Sequence, residues 1–187
     1  MYKSGHSNVR PVAAVLEADA AEFLRQAHEH LPQMDASTKL YAASQTLLLA
    51  MREERVVPAL VEICSNLLGC EQLAIVEIER HTGTVLFLGE EGLSPEKREV
   101  LIRNEDVLEP RITPGSAWGP SDENGDSALI SLGISALVPL WRDQKSSGAL
   151  VLFQLLPHRR RYEMEDREVL QLLSLYAGPC LRSQSHE

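Results

Sequence analysis

Ile134-Ser135-Ala136-Leu137-Val138-Pro139-Leu140-Trp141 and Gly148-Ala149-Leu150-Val151-Leu152-Phe153-Gln154-Leu155-Leu156 are two apolar runs separated by a polar turn, Arg142 to Ser147. Their strand-forming residues predict two neighbouring β-strands. The second run is apolar at nearly every position, which marks a strand covered on both faces. Pro157 stops it. From Glu163 to Arg182 the period changes: Met164, Val169, Leu172, Leu173, Tyr176 and Ala177 recur at helical spacing. Strand, turn, strand and closing helix form the spine of an α+β domain.

Upstream, Leu73 to Glu79 alternates, with Ile75, Glu77 and Glu79 on one side and Ala74, Val76 and Ile78 on the other. His81-Thr82-Gly83 is a hairpin turn and Val85-Leu86-Phe87-Leu88 the returning strand. Ser94-Pro95 opens a helix to about Arg103, with Ser94 as cap, proline at the tolerated first position and Glu96 at the positive end. Asn104 to Asp126 is irregular, rich in proline and glycine, with a short strand expected around Ser116 to Trp118. Ser127 to Leu132 predicts one or two helical turns ended by Gly133.

Before the hairpin the pattern is helical. Residues 1–10 form a polar, flexible tail. A helix is expected from Pro11 to Leu31 (Val12, Leu16, Phe23, Leu24, Ala27, Leu31), within an N-terminal extension of 11–35. A second helix carries Leu40, Tyr41, Ser44, Leu47, Leu48 and Met51. A third carries Val57, Leu60, Val61, Cys64, Leu67 and Leu68, with Gly69 as its stop. The main domain spans 36–183, and 184–187 is a tail.

Composition narrows the function. At 187 residues and 44% hydrophobic, the chain suits one domain with an appendage. A net charge of −9 speaks against nucleic acid and against an anionic membrane surface. No apolar run approaches spanning length. The three cysteines, Cys64, Cys70 and Cys180, lack metal spacing and read as buried small hydrophobes in a reduced, cytoplasmic chain. The six histidines form no metal set. No metal or cofactor is expected.

The chain resembles the GAF domain family from about Leu40 to Arg182. The features that carry this are the strand ending in Val138-Pro139-Leu140, the strand opening Gly148-Ala149-Leu150-Val151-Leu152, and the helix start Tyr162-Glu163-Met164-Glu165-Asp166. There Tyr162 stands where the family usually has phenylalanine. Pro139 cannot donate to a ladder, so it belongs at a strand end or bulge. The resemblance implies a six-stranded antiparallel sheet with the N- and C-terminal helices packed on one face, the helix of the N-terminal extension being extra. It implies dimerisation through those helices, and a ligand, where there is one, under residues 89–133.

In that region Asn104-Glu105-Asp106 lacks the lysine and phenylalanine of cyclic-nucleotide-binding members. The absence of cysteine from 89–133 also weakens a methionine sulfoxide reductase-like reading, which needs a thiolate and a resolving thiol. Arg111, Trp118, Asp122 and Asn124 are the candidate ligand groups. An indole with an arginine suits a planar or anionic molecule, unless Trp118 fills the pocket and Arg111 lies on the surface. His158-Arg159-Arg160-Arg161 is a basic cluster in an acidic chain. It reads as a docking patch for an acidic partner, with Arg159, Arg160 and Arg161 as its cations, or as a solvated loop.

The resulting expectation is a bacterial-type GAF signalling protein standing alone, without catalysis, acting through homodimerisation and a protein partner. A small-molecule sensor using 89–133 is the alternative, and a redox enzyme the weaker one.

Overall fold

In the computed structural model the chain divides between Met34 and Asp35 into two units. The description covers residues 36–113, 117, 126–157, 159 and 162–184 of the second. The tail 1–10, the helix expected over Pro11 to Leu31 and, apart from Ala117, the strand expected at Ser116 to Trp118 lie outside the described residues.

Helix α1 (Ala36–Arg52) is followed by α2 (Val56–Glu62), which widens into a π-helical turn over Ile63–Leu67. The Leu68 N–H reaches back to the Ile63 carbonyl at 3.2 Å. Gly69, at φ 62°, then turns the chain into β1 (Cys70–Glu79). The hairpin returns as β2 (Val85–Glu91). Next come α3 (Pro95–Arg103), α4 (Glu105–Leu108), a 3₁₀ turn (Glu109–Arg111) and α5 (Ser127–Ser131). Strands β3 (Ala136–Arg142) and β4 (Ser146–Leu155) lead to the long α6 (Met164–Gln184).

The sheet order is β2-β1-β4-β3, antiparallel throughout. Strand β4 is central, as its apolar run predicts. The α+β class and the pairing of first and last domain helices on one face also match the reading. The number of strands does not: among the described residues there are four, where the family resemblance implies six. That count came from the resemblance; of the five strands expected from the chain's own pattern, the one at Ser116 to Trp118 falls, apart from Ala117, outside the described residues. β3, expected as a neighbour of β4, pairs with it and ends the sheet in the described order. It is apolar on both faces because α6 covers one and the 93–134 segment the other.

Two cores result. On the helix side, Leu73, Ile75, Val138, Leu140, Leu150 and Leu152 meet Leu47, Leu60, Ile63, Val169 and Leu173. On the opposite side, Ala74, Val76, Ile78, Leu137, Val151 and Phe153 meet Leu101, Leu108, Ile112, Leu129 and Ile134. Period-2 alternation sorts β1 between them.

α1 turns a different face inward from the one its large residues suggest. Ala42, Ala43, Leu47 and Ala50 are buried, while Tyr41, Leu48 and Met51 are exposed. The small side chains let α1 lie close along α6, which pushes the larger ones outward.

α6 approaches β3 with almost no space between them. The register slips between Pro139 and Trp141, so the strand bulges where proline can be tolerated. The Pro139 carbonyl accepts a hydrogen bond from the Ser174 hydroxyl at 2.7 Å. One turn on, a Cβ on Gly178 would lie 1.8 Å from the Leu140 carbonyl oxygen. Gly178→Ala is therefore expected to cost about 3 kcal/mol or more, because the obstacle is backbone. Denaturant unfolding of the variant against wild type checks this, and an unchanged midpoint would refute it.

Candidate functional site

The region to which the resemblance gives a ligand is the space between the sheet and the 89–133 segment. The described residues of that segment pack aliphatic side chains into it. Leu101 from α3, Leu108 from α4, Ile112 after the 3₁₀ turn, Leu129 from α5 and Ile134 before β3 are buried against Ala74, Val76, Leu137, Ala149 and Val151. These elements form where the sequence supplies their caps. Ser94 accepts from the Lys97 N–H at 3.3 Å to start α3, with Pro95 next. Asp126 accepts from the Ala128 and Leu129 N–H groups at 3.0 and 3.4 Å to start α5.

Of the four candidate ligand groups, Arg111 is described, and Trp118, Asp122 and Asn124 lie outside the described residues. Arg111 is engaged within the fold. Its Nη1 donates to the Val107 carbonyl at 2.6 Å, its Nη2 to Asp126 Oδ1 at 3.2 Å and its Nε to Asp126 Oδ2. This bidentate pair ties the end of the 3₁₀ turn to the start of α5 across fifteen positions of sequence. Asp126 was not among the expected site residues. An aspartate directly before Ser-Ala-Leu-Ile is nonetheless a legible cap.

A second cluster holds the same segment to the sheet. Glu109 Oε1 accepts from Arg80 Nε at 2.9 Å, Arg142 Nη2 at 3.1 Å and Ser147 Oγ at 3.3 Å. Those donors come from the ends of β1 and β3 and the start of β4. Sequence reasoning missed this cluster because its members are far apart in the chain.

Of the expected docking arginines, Arg160 and Arg161 lie outside the described residues. Arg159 is described and turned inward. Its Nη1 donates to the Leu68 carbonyl at 2.6 Å and the Leu67 carbonyl at 3.4 Å, and its Nη2 pairs with Asp166. Its stem passes over Gly69, where a Cβ would lie 2.8 Å from Arg159 Cδ.

Cys64, Cys70 and Cys180 are buried, and none is in a disulfide. Burial pushes the Cys64 thiol well up and Cys70 to about 11, and raises Cys180. Near neutral pH all three are thiols, whereas nucleophilic and redox chemistry runs through the thiolate. Tyr162, whose phenol burial also raises, shares a 3.0 Å hydrogen bond with Ser135 Oγ.

No family model matches the chain, and no curated protein matches it. Solved structures do. One is a domain assigned to a two-component sensor histidine kinase protein from Sinorhizobium meliloti 1021, at 16% identity and TM-score 0.44, covering 72% of this chain and 93% of that one. Another is the GAF domain assigned to a sensor histidine kinase from Pseudomonas syringae pv. tomato, at 17% identity and TM-score 0.42, covering 92% of each chain. The chain is similar in fold to a GAF domain. Likenesses this distant say nothing of chemistry, which has to come from the side chains described above. No helix among the described residues is long and apolar enough to cross a membrane.

Two predictions follow from these side chains. The Arg111 pair, ahead of the α5 backbone bonds, holds the Asp126 carboxyl below its ordinary range. A depressed folded-state value means that the stabilisation is present above the unfolded-state value and is lost as pH falls through the folded one. Asp126→Ala should lower stability by about 1–2 kcal/mol near neutral pH. Its melting-temperature gap from wild type should persist down to the ordinary carboxylate range and close below it; a pH-independent gap would contradict the pairing. For the cysteines, a thiol reagent should label the native protein at neutral pH only as fast as it unfolds. Rapid labelling without unfolding would show that a thiol is accessible.

Proposed function

We propose that this chain is a non-catalytic GAF-type signalling protein that acts by protein–protein interaction and homodimerisation, its ligand side filled by its own side chains. The observation that carries the reading is the packing of Leu101, Leu108, Ile112, Leu129 and Ile134 onto the sheet face. Among the described residues, the side chains there are aliphatic, whereas a pocket fixes a small molecule by convergent polar groups. The likeness in fold to domains assigned to sensor kinases accords with a signalling role.

The dimer reading draws on the outer faces of α1 and α6. Tyr41, Leu48 and Met51 are exposed on α1, and with Ser44 they follow the 3-4-3 spacing of a helix-pairing seam. α6 adds Leu175 and Tyr176, both exposed. Large apolar residues at such spacing on two adjacent helices suit a second copy related by two-fold symmetry.

Native mass spectrometry of the full chain tests both halves. The expected species is a dimer without a retained small molecule. A stoichiometric small molecule would favour the sensor reading based on 89–133, and a monomer at micromolar concentration would sink the dimer. Leu48→Glu combined with Leu175→Glu should yield a monomer of unchanged secondary structure, because both positions face outward.

A further inference from the structure

The outer edge of β2 is unlike the rest of the sheet. The Glu79 N–H donates to the Thr84 carbonyl at 2.9 Å, which makes 79/84 a hydrogen-bonded pair. Alternation along the antiparallel ladder makes Glu77/Leu86 the next such pair, with Ile78/Val85 and Val76/Phe87 the non-bonded pairs. The N–H and C=O groups of Val85 and Phe87 therefore point away from β1. Among the described residues none of these groups meets a hydrogen-bond partner, and β2 ends the sheet.

The side chains on either face of this edge differ in kind. On the helix side Leu86 and Leu88 are 50% and 38% exposed. Opposite Leu86 on β1 stands Glu77, and two residues on along the same face is Glu79, whose Oε2 accepts from Thr82 Oγ1 at 2.7 Å. The neighbouring helix α2, whose Val57 lies against Gly89, contributes one charge, the exposed Glu62. On the other side Val85 and Phe87 are half-buried, and the Arg98 guanidinium lies 4.2 Å from the Phe87 ring centre, paired with Glu90 at 2.9 Å. The helix side thus presents leucines with acidic neighbours, and the other side is apolar beneath a cation already paired.

We propose that the β2 edge is a docking site for an extended segment of a partner protein, which adds as a further strand with basic side chains on the helix side and apolar ones on the other. Main-chain bonds to Val85 and Phe87 hold the segment. Lysine or arginine stems cover Leu86 and Leu88 while their charged ends reach Glu77 and Glu79. Valine-like side chains extend the apolar row of Val85 and Phe87, where Arg98 disfavours a second cation. A second copy of this chain is the poorer occupant. Pairing β2 with itself would bring the acidic groups of two copies together, with like charges across the join. The proposal rests on the protein-interaction reading above and uses a different surface from the α1–α6 seam, so either can fail alone.

The test uses the full chain, isotopically labelled, and a synthetic peptide of alternating lysine and valine. Titration should shift the amide resonances of β2 and slow exchange of the Val85 and Phe87 amides. A peptide with glutamate in place of lysine should bind about tenfold more weakly or worse, as should the lysine peptide with Glu77→Lys/Glu79→Lys. Val85→Pro should weaken binding to a similar degree while keeping the native spectrum, because its lost N–H faces outward and serves no β1 bond. The proposal is overturned by equal binding of the two peptides, by shifts confined to α1 and α6, or by no shift at all. Protection of the β2 amides on raising protein concentration without peptide would also overturn it, by making the edge a seam between copies.

Discussion

The described unit is held by one buried carboxylate. Asp166, fully shielded from solvent, accepts from Lys39 Nζ at 3.0 Å, from the Glu163 N–H at 2.9 Å and from the Arg159 guanidinium. A carboxylate taken out of water is costly unless its oxygens are filled by cations and donors. Here the donors come from α1, from the segment after β4 and from the first turn of α6. Through Arg159 the network also reaches the Leu68 carbonyl, at the end of the π-helical turn. Three segments distant in sequence, α1, the end of the π-helical turn and the stretch from Arg159 to Asp166, are thus tied together by the need to satisfy one charge.

This constraint explains why Arg159 belongs to the interior. Its guanidinium balances a buried charge and satisfies two carbonyls at a helix end, so it has structural work that a surface cation lacks. In sequence it is one of three consecutive arginines, and run composition cannot tell which of them turns inward. The aromatic-and-acidic helix start at Tyr162 to Asp166 was readable through the family resemblance. Its partners, Lys39 and Arg159, were not, because nothing local links them to it.

The same division runs through the molecule. Both-face burial of β4 was legible from its unbroken apolar run, and the turns at Gly69, Gly83 and Gly133 from glycine where φ is positive. The helix at Ser94-Pro95 was legible from its cap. What failed was whatever depends on which element lies alongside. α1 turns its alanines inward and its tyrosine, leucine and methionine outward, contrary to the simplest use of hydrophobicity. The terminal place of β3 in the described sheet was hidden because α6 and the 93–134 segment bury both its faces as thoroughly as those of a central strand. Glu109 was invisible because Arg80, Arg142 and Ser147 converge on it from three separate strand ends.

That pattern bears on where function sits. Charges that long-range packing has drawn together, such as Asp166, Arg159, Glu109 and the Arg111–Asp126 pair, are occupied with one another and fasten elements in place. On the sheet face opposite the helices, the described residues of 89–133 contribute aliphatic side chains that pack against one another and the strands. Among the described residues, what is left unsatisfied lies at the margins: large apolar residues on the outside of α1 and α6, and main-chain groups with exposed leucines along β2. Unsatisfied apolar surface and unpaired strand edges carry a standing aggregation cost. β2 is partly protected by the irregularity opposite Ile75/Val76 and by Glu90 and Glu91 at its end, but Val85 and Phe87 stay open. Among the described residues, then, the buried charges are matched with partners, while the outer faces of α1 and α6 and the edge of β2 are the places where apolar side chains and main-chain groups meet solvent.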